Sequence, residues 1–170
     1  MRLAVIIIST VLMSGCAASY KQSPLSQPSS KLLKGKSVII STPTNGSYEN
    51  KTYIASGKTT ALAIRTAFAR FTNNTKVIAD CSDISCLKKN APNDFDYYVI
   101  PEILHWEDRN TEWSGISDKV EIKVSVYEGK SWNELASTII SGKSKWMSLG
   151  GDHPQDLLPE PLNKYIESLY

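Results

Sequence analysis

The sequence predicts a single α+β domain over residues 37–170, with a mostly antiparallel sheet and helices packed on one face. Apolar residues first recur at helical spacing between residues 58 and 71. From residue 96 onwards the pattern changes to that of strands, in three long runs, and the middle run alternates between apolar and polar side chains as a strand with one buried face does. A helical stripe at the carboxyl terminus completes the predicted order β-α-β-α-β-β-β-α.

The first half of the domain supplies short elements. SVIIST at residues 37–42 is a β-branched run that ends before Pro43 and the turn signal Asn45-Gly46. A helix follows, with Ser56 as its N-cap, and its apolar face is formed by Leu62, Ile64, Ala67, Phe68 and Phe71. Residues 75–79 predict a strand, and SDISCLKKN at residues 82–90 predicts a short helix.

The second half supplies three long strands, within residues 96–106, 118–128 and 134–146. Pro101 cannot donate a ladder hydrogen bond, so it marks an edge position or a bulge, and a bulge would shift the alternation downstream. The buried face is expected to carry Val120, Ile122, Val124 and Val126, joined by Tyr98, Ile100, Leu104 and Trp106. The last helix is expected to bury Leu158, Leu162, Tyr165, Ile166 and Leu169, with Pro159 and Pro161 in its first turn.

The first sixteen residues, MRLAVIIISTVLMSGC, have the layout of a secretory signal peptide, and their apolar run is too short to cross a bilayer as a mature helix. The ending Met13-Ser14-Gly15-Cys16 resembles a bacterial lipobox. That resemblance implies removal of residues 1–15, attachment of fatty acyl chains such as palmitate to Cys16, and, because Ala17 follows, an outer-membrane location facing the periplasm. The alternative is an ordinary signal peptide in which the cysteine is incidental.

Residues 16–36 are rich in Ser, Gln and Pro and lack apolar periodicity, so they predict a flexible tether between the lipid and the domain. Removal of the signal peptide takes away Arg2 and leaves 18 basic residues beside 17 acidic ones. A net charge this small argues against a nucleic-acid partner. The string Ser56-Gly57-Lys58-Thr59 lacks the first glycine of a phosphate-binding loop, because the position five residues before Gly57 is Thr52, so no nucleotide is expected.

Two further cysteines, Cys81 and Cys86, predict a local disulfide in an oxidising compartment. Free thiols and a metal site are the alternatives, but a structural zinc site needs four ligands, and there is no second cysteine pair or close histidine pair. No metal and no cofactor are expected.

The stretch HWEDRNTEWSG at residues 105–115 connects two predicted strands and is longer than a tight hairpin requires. Together with the loop at residues 150–155, it is a candidate binding surface formed by Trp106, Glu107, Asp108, Arg109, Glu112, Trp113, Asp152 and His153. Alternatively the tryptophans cap the sheet. Two chemical alternatives remain: a glycosidase-like carboxylate pair among Glu107, Asp108 and Glu112, and a metal site with His105, His153 and Asp152.

Four segments, WEDR at 106–109, TEWSG at 111–115, GGDHPQ at 150–155 and YIASG at 53–57, resemble the DUF4823 family of proteobacterial lipoproteins over nearly the whole mature chain. The resemblance implies an envelope lipoprotein and no known activity. The predicted topology is also similar to the anticodon-binding-domain-like fold of the TolB amino-terminal domain and of CsgG, a similarity that transfers no site. Since strand 119–128 returns from the first loop and residue 146 leads into the second, both loops are expected at one end of the sheet.

These observations predict an outer-membrane-anchored periplasmic lipoprotein that is not an enzyme. It would act as an accessory, assembly or binding module, with an envelope protein or a glycan as its partner. The alternatives are a periplasmic hydrolase or metal-dependent enzyme using His105, His153 and the loop carboxylates, and an oligomeric secretion or assembly component.

Overall fold

A computed structural model of the chain describes residues 18–92, 94–109, 116–145 and 153–170. Cys16, Glu112, Trp113 and Asp152, all of them predicted site residues, lie outside the described residues. Across the described ranges, no helix has the length and hydropathy needed to cross a membrane.

The described residues form an α+β domain around a six-stranded sheet of order β1-β8-β7-β6-β2-β5. β2 pairs in parallel with β5 and β6, and the other pairs in this sheet are antiparallel. From β2 to α3 the predicted order is confirmed, with a short hairpin β3–β4 inserted before α1. The strands are β1 (Ser19–Ser26), β2 (Val38–Ser41), β3 (Ser47–Tyr48), β4 (Lys51–Thr52), β5 (Thr75–Ile78), β6 (Tyr97–Glu107), β7 (Lys119–Glu128) and β8 (Glu134–Lys143), and the helices are α1 (Ser56–Phe68), α2 (Ile84–Asn90) and α3 (Pro159–Leu169).

The main core lies between the sheet and the helices α1 and α3. The alternating residues of β7 and the apolar stripe of α3 are buried in it, as predicted. α1 buries Ile64 and Phe68, but Leu62 is 41% exposed, so its predicted place on the buried face is wrong. At about 100° per residue, Leu62 lies about 200° around the helix from Ile64.

Ser56 is not the N-cap of α1, which is Ala55, with a positive φ of 71°. The Ser56 hydroxyl instead accepts a hydrogen bond from the Gly46 backbone N–H (2.8 Å) and donates one to the Tyr53 carbonyl (2.7 Å). It therefore fastens the loop after β2 to the start of α1.

The opposite face of the sheet carries a smaller core under α2, where Leu87 packs with Ile39, Tyr98 and Ile100. The prediction that the helices pack on one face of the sheet therefore holds for α1 and α3, whereas α2 packs on the opposite face. The disulfide predicted from the spacing joins Cys81 to Cys86 at the start of α2.

The predicted side-chain alternation of β6 is wrong for three of its four residues. Tyr98 and Ile100 face α2 because the register sets Val99, not Tyr98, opposite Val126. A bulge between Ile103 and His105 then reverses the alternation, which exposes Leu104 and returns Trp106 to the main core. Pro101 lies beyond Val99, the last residue of β6 that pairs with β2, so its missing N–H breaks no bond on that side.

The tether predicted for residues 16–36 is wrong for Ser19–Ser26, which form the edge strand β1. β1 pairs antiparallel with β8, from Ser19 opposite Lys143 to Ser26 opposite Ser137. Leu32, also within the predicted tether, is buried, and its N–H donates to the carbonyl of Leu169. The strand escaped detection because backbone pairing at a sheet edge requires no apolar periodicity, and β1 is polar and contains a proline.

Candidate functional site

The predicted site residues lie at one end of the sheet, which we call the loop end: there β2, β6 and β8 finish, and β1, β7 and α1 begin. The described parts of the two motif loops meet at this end, as expected, because His153 Nδ1 lies 3.3 Å from Asp108 Oδ1. The Tyr53 hydroxyl donates to the Asp108 carbonyl (3.1 Å) and accepts from its N–H (3.3 Å). A third motif, the segment around Tyr53, is thus attached to the same point.

Glu107, the last residue of β6, is a buried carboxylate with three basic neighbours. Its side chain is only 1% exposed, and its Oε2 lies 3.1 Å from both Lys119 Nζ and His105 Nε2, while Arg109 Nε donates to Oε1. Burial alone would raise the pKa of Glu107, but the hydrogen bonds from His105, Arg109 and Lys119 outweigh it and lower the pKa to about 2. Glu107 is therefore ionised at neutral pH and unsuited to the role of general acid.

Arg109 connects the Glu107 cluster to the β3–β4 hairpin. Its guanidinium donates to the Tyr48 hydroxyl (3.0 Å) and lies 4.9 Å from the centre of that ring. Tyr48 also makes an edge-on contact with His105, with ring centres 5.2 Å apart. Arg109 and His105 therefore hold the hairpin against the end of β6.

A second polar cluster consists of Asp108, Asp118 and His153, whose candidate ligand atoms all lie within 4.8 Å of one another. Burial raises the pKa of Asp118, although the Arg109 N–H that donates to its carboxylate opposes the effect. The predicted metal set placed His105 beside His153, but His105 contacts Glu107 instead. The sequence did not single out Asp118, which falls at the start of a predicted strand. Its position at the end of the long connection from residue 107 was the available signal.

Trp106 is not part of an exposed surface, and its predicted place in a binding surface is wrong. It is 3% exposed and packs against Gly46 so closely that a Cβ there would lie 2.6 Å from Trp106 Cβ. Trp106 therefore belongs to the core, as in the alternative in which the tryptophans cap the sheet. The described members of the predicted surface that reach solvent are Asp108, Arg109 and His153.

A cleft of about 830 Å³ adjoins the Glu107 cluster on the face of the sheet away from α1 and α3. β1, β8, β7 and β6 line it, and Tyr48 stands at one side. Three lysines, Lys21, Lys119 and Lys143, lie in its lining, together with Glu121, which accepts a hydrogen bond from the Ser141 hydroxyl (2.7 Å). The sequence did not predict this cleft, because one wall is the unpredicted strand β1.

The family model described as "Domain of unknown function (DUF4823)" matches residues 30–169. No curated protein sequence matches the chain. Among solved structures, a PelC dodecamer from Paraburkholderia phytofirmans is similar at 12% identity and a TM-score of 0.57, covering 89% of this chain and 91% of that one. A substituted form of the same protein, also a dodecamer, is similar at 11% identity and a TM-score of 0.62, covering 89% of this chain and 96% of that one.

The protein XCC0632 from Xanthomonas campestris, of the DUF330 family, is similar at 10% identity and a TM-score of 0.52, covering 86% of this chain and 92% of that one. At such identities these matches show a shared fold alone. The expected similarity to TolB and CsgG stays a prediction.

Proposed function

The chain belongs to the DUF4823 family, and from that premise we propose that it is a lipoprotein assembly module of the outer membrane. In this proposal Cys16 carries the lipid, the domain faces the periplasm, and the protein works without catalysis by associating with further copies of itself. A glycan as the partner, also expected from the sequence, stays a prediction.

One observation carries the self-association. The structural match to the PelC chain, which forms a dodecamer, covers 89% of this chain and 96% of that chain. Within the described residues the sheet ends in two edge strands, β1 and β5. Edge strands present unpaired backbone groups to which a neighbouring subunit can add.

The Glu107 cluster supports the absence of catalysis. Within the described residues its carboxylate contacts three basic side chains of the same chain, so we interpret the group as a structural anion. A catalytic carboxylate at neutral pH would need a raised pKa or a free face towards a substrate.

The test uses the full chain expressed with its signal peptide and extracted from membranes in detergent. Intact mass shows whether Cys16 carries lipid, and membrane fractionation shows whether the protein is in the outer membrane. Light scattering gives the number of subunits in each particle. Cys16→Ser is the matched control. We expect a diacylglycerol-modified, outer-membrane protein of several subunits. A bare thiol would contradict the anchor, and a monomer at every concentration would contradict the assembly.

A second candidate, a metal-dependent hydrolase, is favoured only by the group of Asp108, Asp118 and His153. Two carboxylates and an imidazole suit a divalent cation. Equilibrium dialysis with Zn²⁺ or Mn²⁺ tests it, with Asp118→Asn as the variant and the exposed Asp94→Asn as the control. Binding that Asp118→Asn abolishes and Asp94→Asn retains would support this candidate; equal binding by both variants, or none by the parent chain, would remove it.

A further inference from the structure

We propose that the loop end of the sheet lies on the membrane surface, with Lys21, Lys119 and Lys143 against anionic phospholipid headgroups. The inference rests on the proposed lipid at Cys16. It adds that the cleft and the loop end face the membrane when that lipid is inserted.

The first step is the position of β1. Ser19, its first residue, is paired with Lys143 at the loop end, so β1 and the described part of the chain begin there. Cys16 precedes Ser19 by three residues, and an extended chain spans at most about 3.5 Å per residue. The Cα atom of a lipidated Cys16 would therefore lie within about 11 Å of the Ser19 Cα atom, whereas a tether to residue 36 would have allowed several times that distance.

The second step is the charge beside Ser19. Lys119 is directly opposite Lys143, and Lys143 is directly opposite Ser19, so the three residues form one cross-strand row. Lys21, two residues after Ser19, lies on the same face of the sheet. Like charges that face each other across strands destabilise a sheet, and an external anion relieves this repulsion.

The carboxylates in the same cleft leave this row positive. Glu107 is buried and bonded to three basic groups, and Glu121 accepts a hydrogen bond from Ser141. In the described part of the chain, neither Lys21 nor Lys143 has a carboxylate oxygen within 4.0 Å of its ammonium group. Anionic headgroups are complementary to such a surface.

The third step is the exposed apolar side chains at the same end. Ile54, in the turn before α1, is 89% exposed, and Ile116, shortly before β7, is 51% exposed. The turn at Ile54 is held by Ala55, whose φ of 71° is costly for a residue with a side chain. Apolar side chains and lysines at the same end of a domain are typical of a surface that enters the headgroup region of a bilayer.

The experiment measures acylation of each lysine by an amine-reactive reagent, read by mass spectrometry on the lipidated full chain. The protein is inserted into vesicles of phosphatidylcholine with phosphatidylglycerol, or into vesicles of phosphatidylcholine alone, so that the two differ in charge and neither lipid has a primary amine. We expect Lys21, Lys119 and Lys143 to react about fivefold more slowly in the anionic vesicles, a factor matching the contribution of one basic residue at such a surface. Lys130, in the turn at the other end of the sheet, and Lys76 in β5 are internal controls whose rates we expect to be equal in both.

A double variant, Lys21→Glu with Lys143→Glu, should lose the protection of Lys119, and the matched Lys130→Glu with Lys76→Glu should keep it. High salt should also weaken the protection, because it screens exposed charges. Equal rates for the three lysines in the two kinds of vesicle would overturn the proposal, and so would equal protection of Lys130.

Intact mass measured on the same sample separates the two proposals. A lipidated protein without selective protection contradicts the membrane-facing surface alone. A protein without lipid contradicts the anchor, and sedimentation with the same vesicles then decides the rest: binding to anionic vesicles only supports the basic surface, and failure to bind overturns it.

Discussion

Replacing Glu107 with glutamine removes the negative charge at the centre of the loop end and keeps the size of the side chain. The charge is buried and contacts His105, Arg109 and Lys119. Each of those partners is partly exposed and can turn towards water when the charge is lost. We therefore expect a folded protein whose free energy of unfolding is lower at neutral pH.

The magnitude follows from the pKa of Glu107, which folding lowers from 4.5 to about 2. At about 1.4 kcal/mol for each pH unit, this difference corresponds to about 3 kcal/mol. Because folding lowers the pKa, the stabilisation is fully present above about pH 4.5 and is lost as the pH falls towards 2. Glu107→Gln should therefore cost about 3 kcal/mol at pH 7 and much less near pH 2.

The assay is urea unfolding followed by tryptophan fluorescence at a series of pH values, with the disulfide kept oxidised. Glu102→Gln is the matched control, since Glu102 lies on the same strand and makes an exposed ion pair with Lys123, of a kind worth at most about 1 kcal/mol. The reasoning is refuted if the two variants lose equal stability at pH 7, or if the deficit of Glu107→Gln persists undiminished in acid.

Three further outcomes are expected. Hydrogen exchange should show protected amides within Ser19–Ser26 where β1 pairs with β8. Rapid exchange of all these amides would contradict the pairing and support a flexible tether instead. Gly57→Ala should destabilise the domain by about 1–3 kcal/mol, because its Cβ would lie 2.1 Å from the Pro43 carbonyl oxygen; a variant that unfolds like the parent in urea would contradict this. Replacing Cys81 and Cys86 by serine should cost about 2 kcal/mol in thermal unfolding, and an unchanged transition would show that the bridge adds nothing.

The sequence predicted helices and strands correctly where their buried side chains recur at a regular spacing along the chain. α3 and β7 each bury one side, so their apolar residues recur at helical and at strand spacing, and both were found where expected. β6 is buried on both faces, towards α2 and towards the main core, so its sequence does not alternate between apolar and polar residues. The face on which each side chain lies therefore could not be predicted. Its register and bulge are set by the partner strands.

The candidate site was predicted in part for a similar reason. The meeting of the two motif loops followed from strand order, and the contact of His153 with Asp108 confirms it. The burial of Trp106 and the presence of Asp118 in the second cluster did not follow, because both depend on how the loops fold over the sheet edge.

By itself the sequence determined the α+β class, most of the element order, the disulfide and the membership of a family, because these depend on local periodicity, short spacing and motif identity. The tertiary structure alone decided that β1 joins the sheet, that Glu107 contacts three basic groups, and that β1 begins in register with a row of lysines. Those features bring together residues far apart in the chain, through backbone hydrogen bonds and charge contacts that leave no repeating mark on the residues that make them.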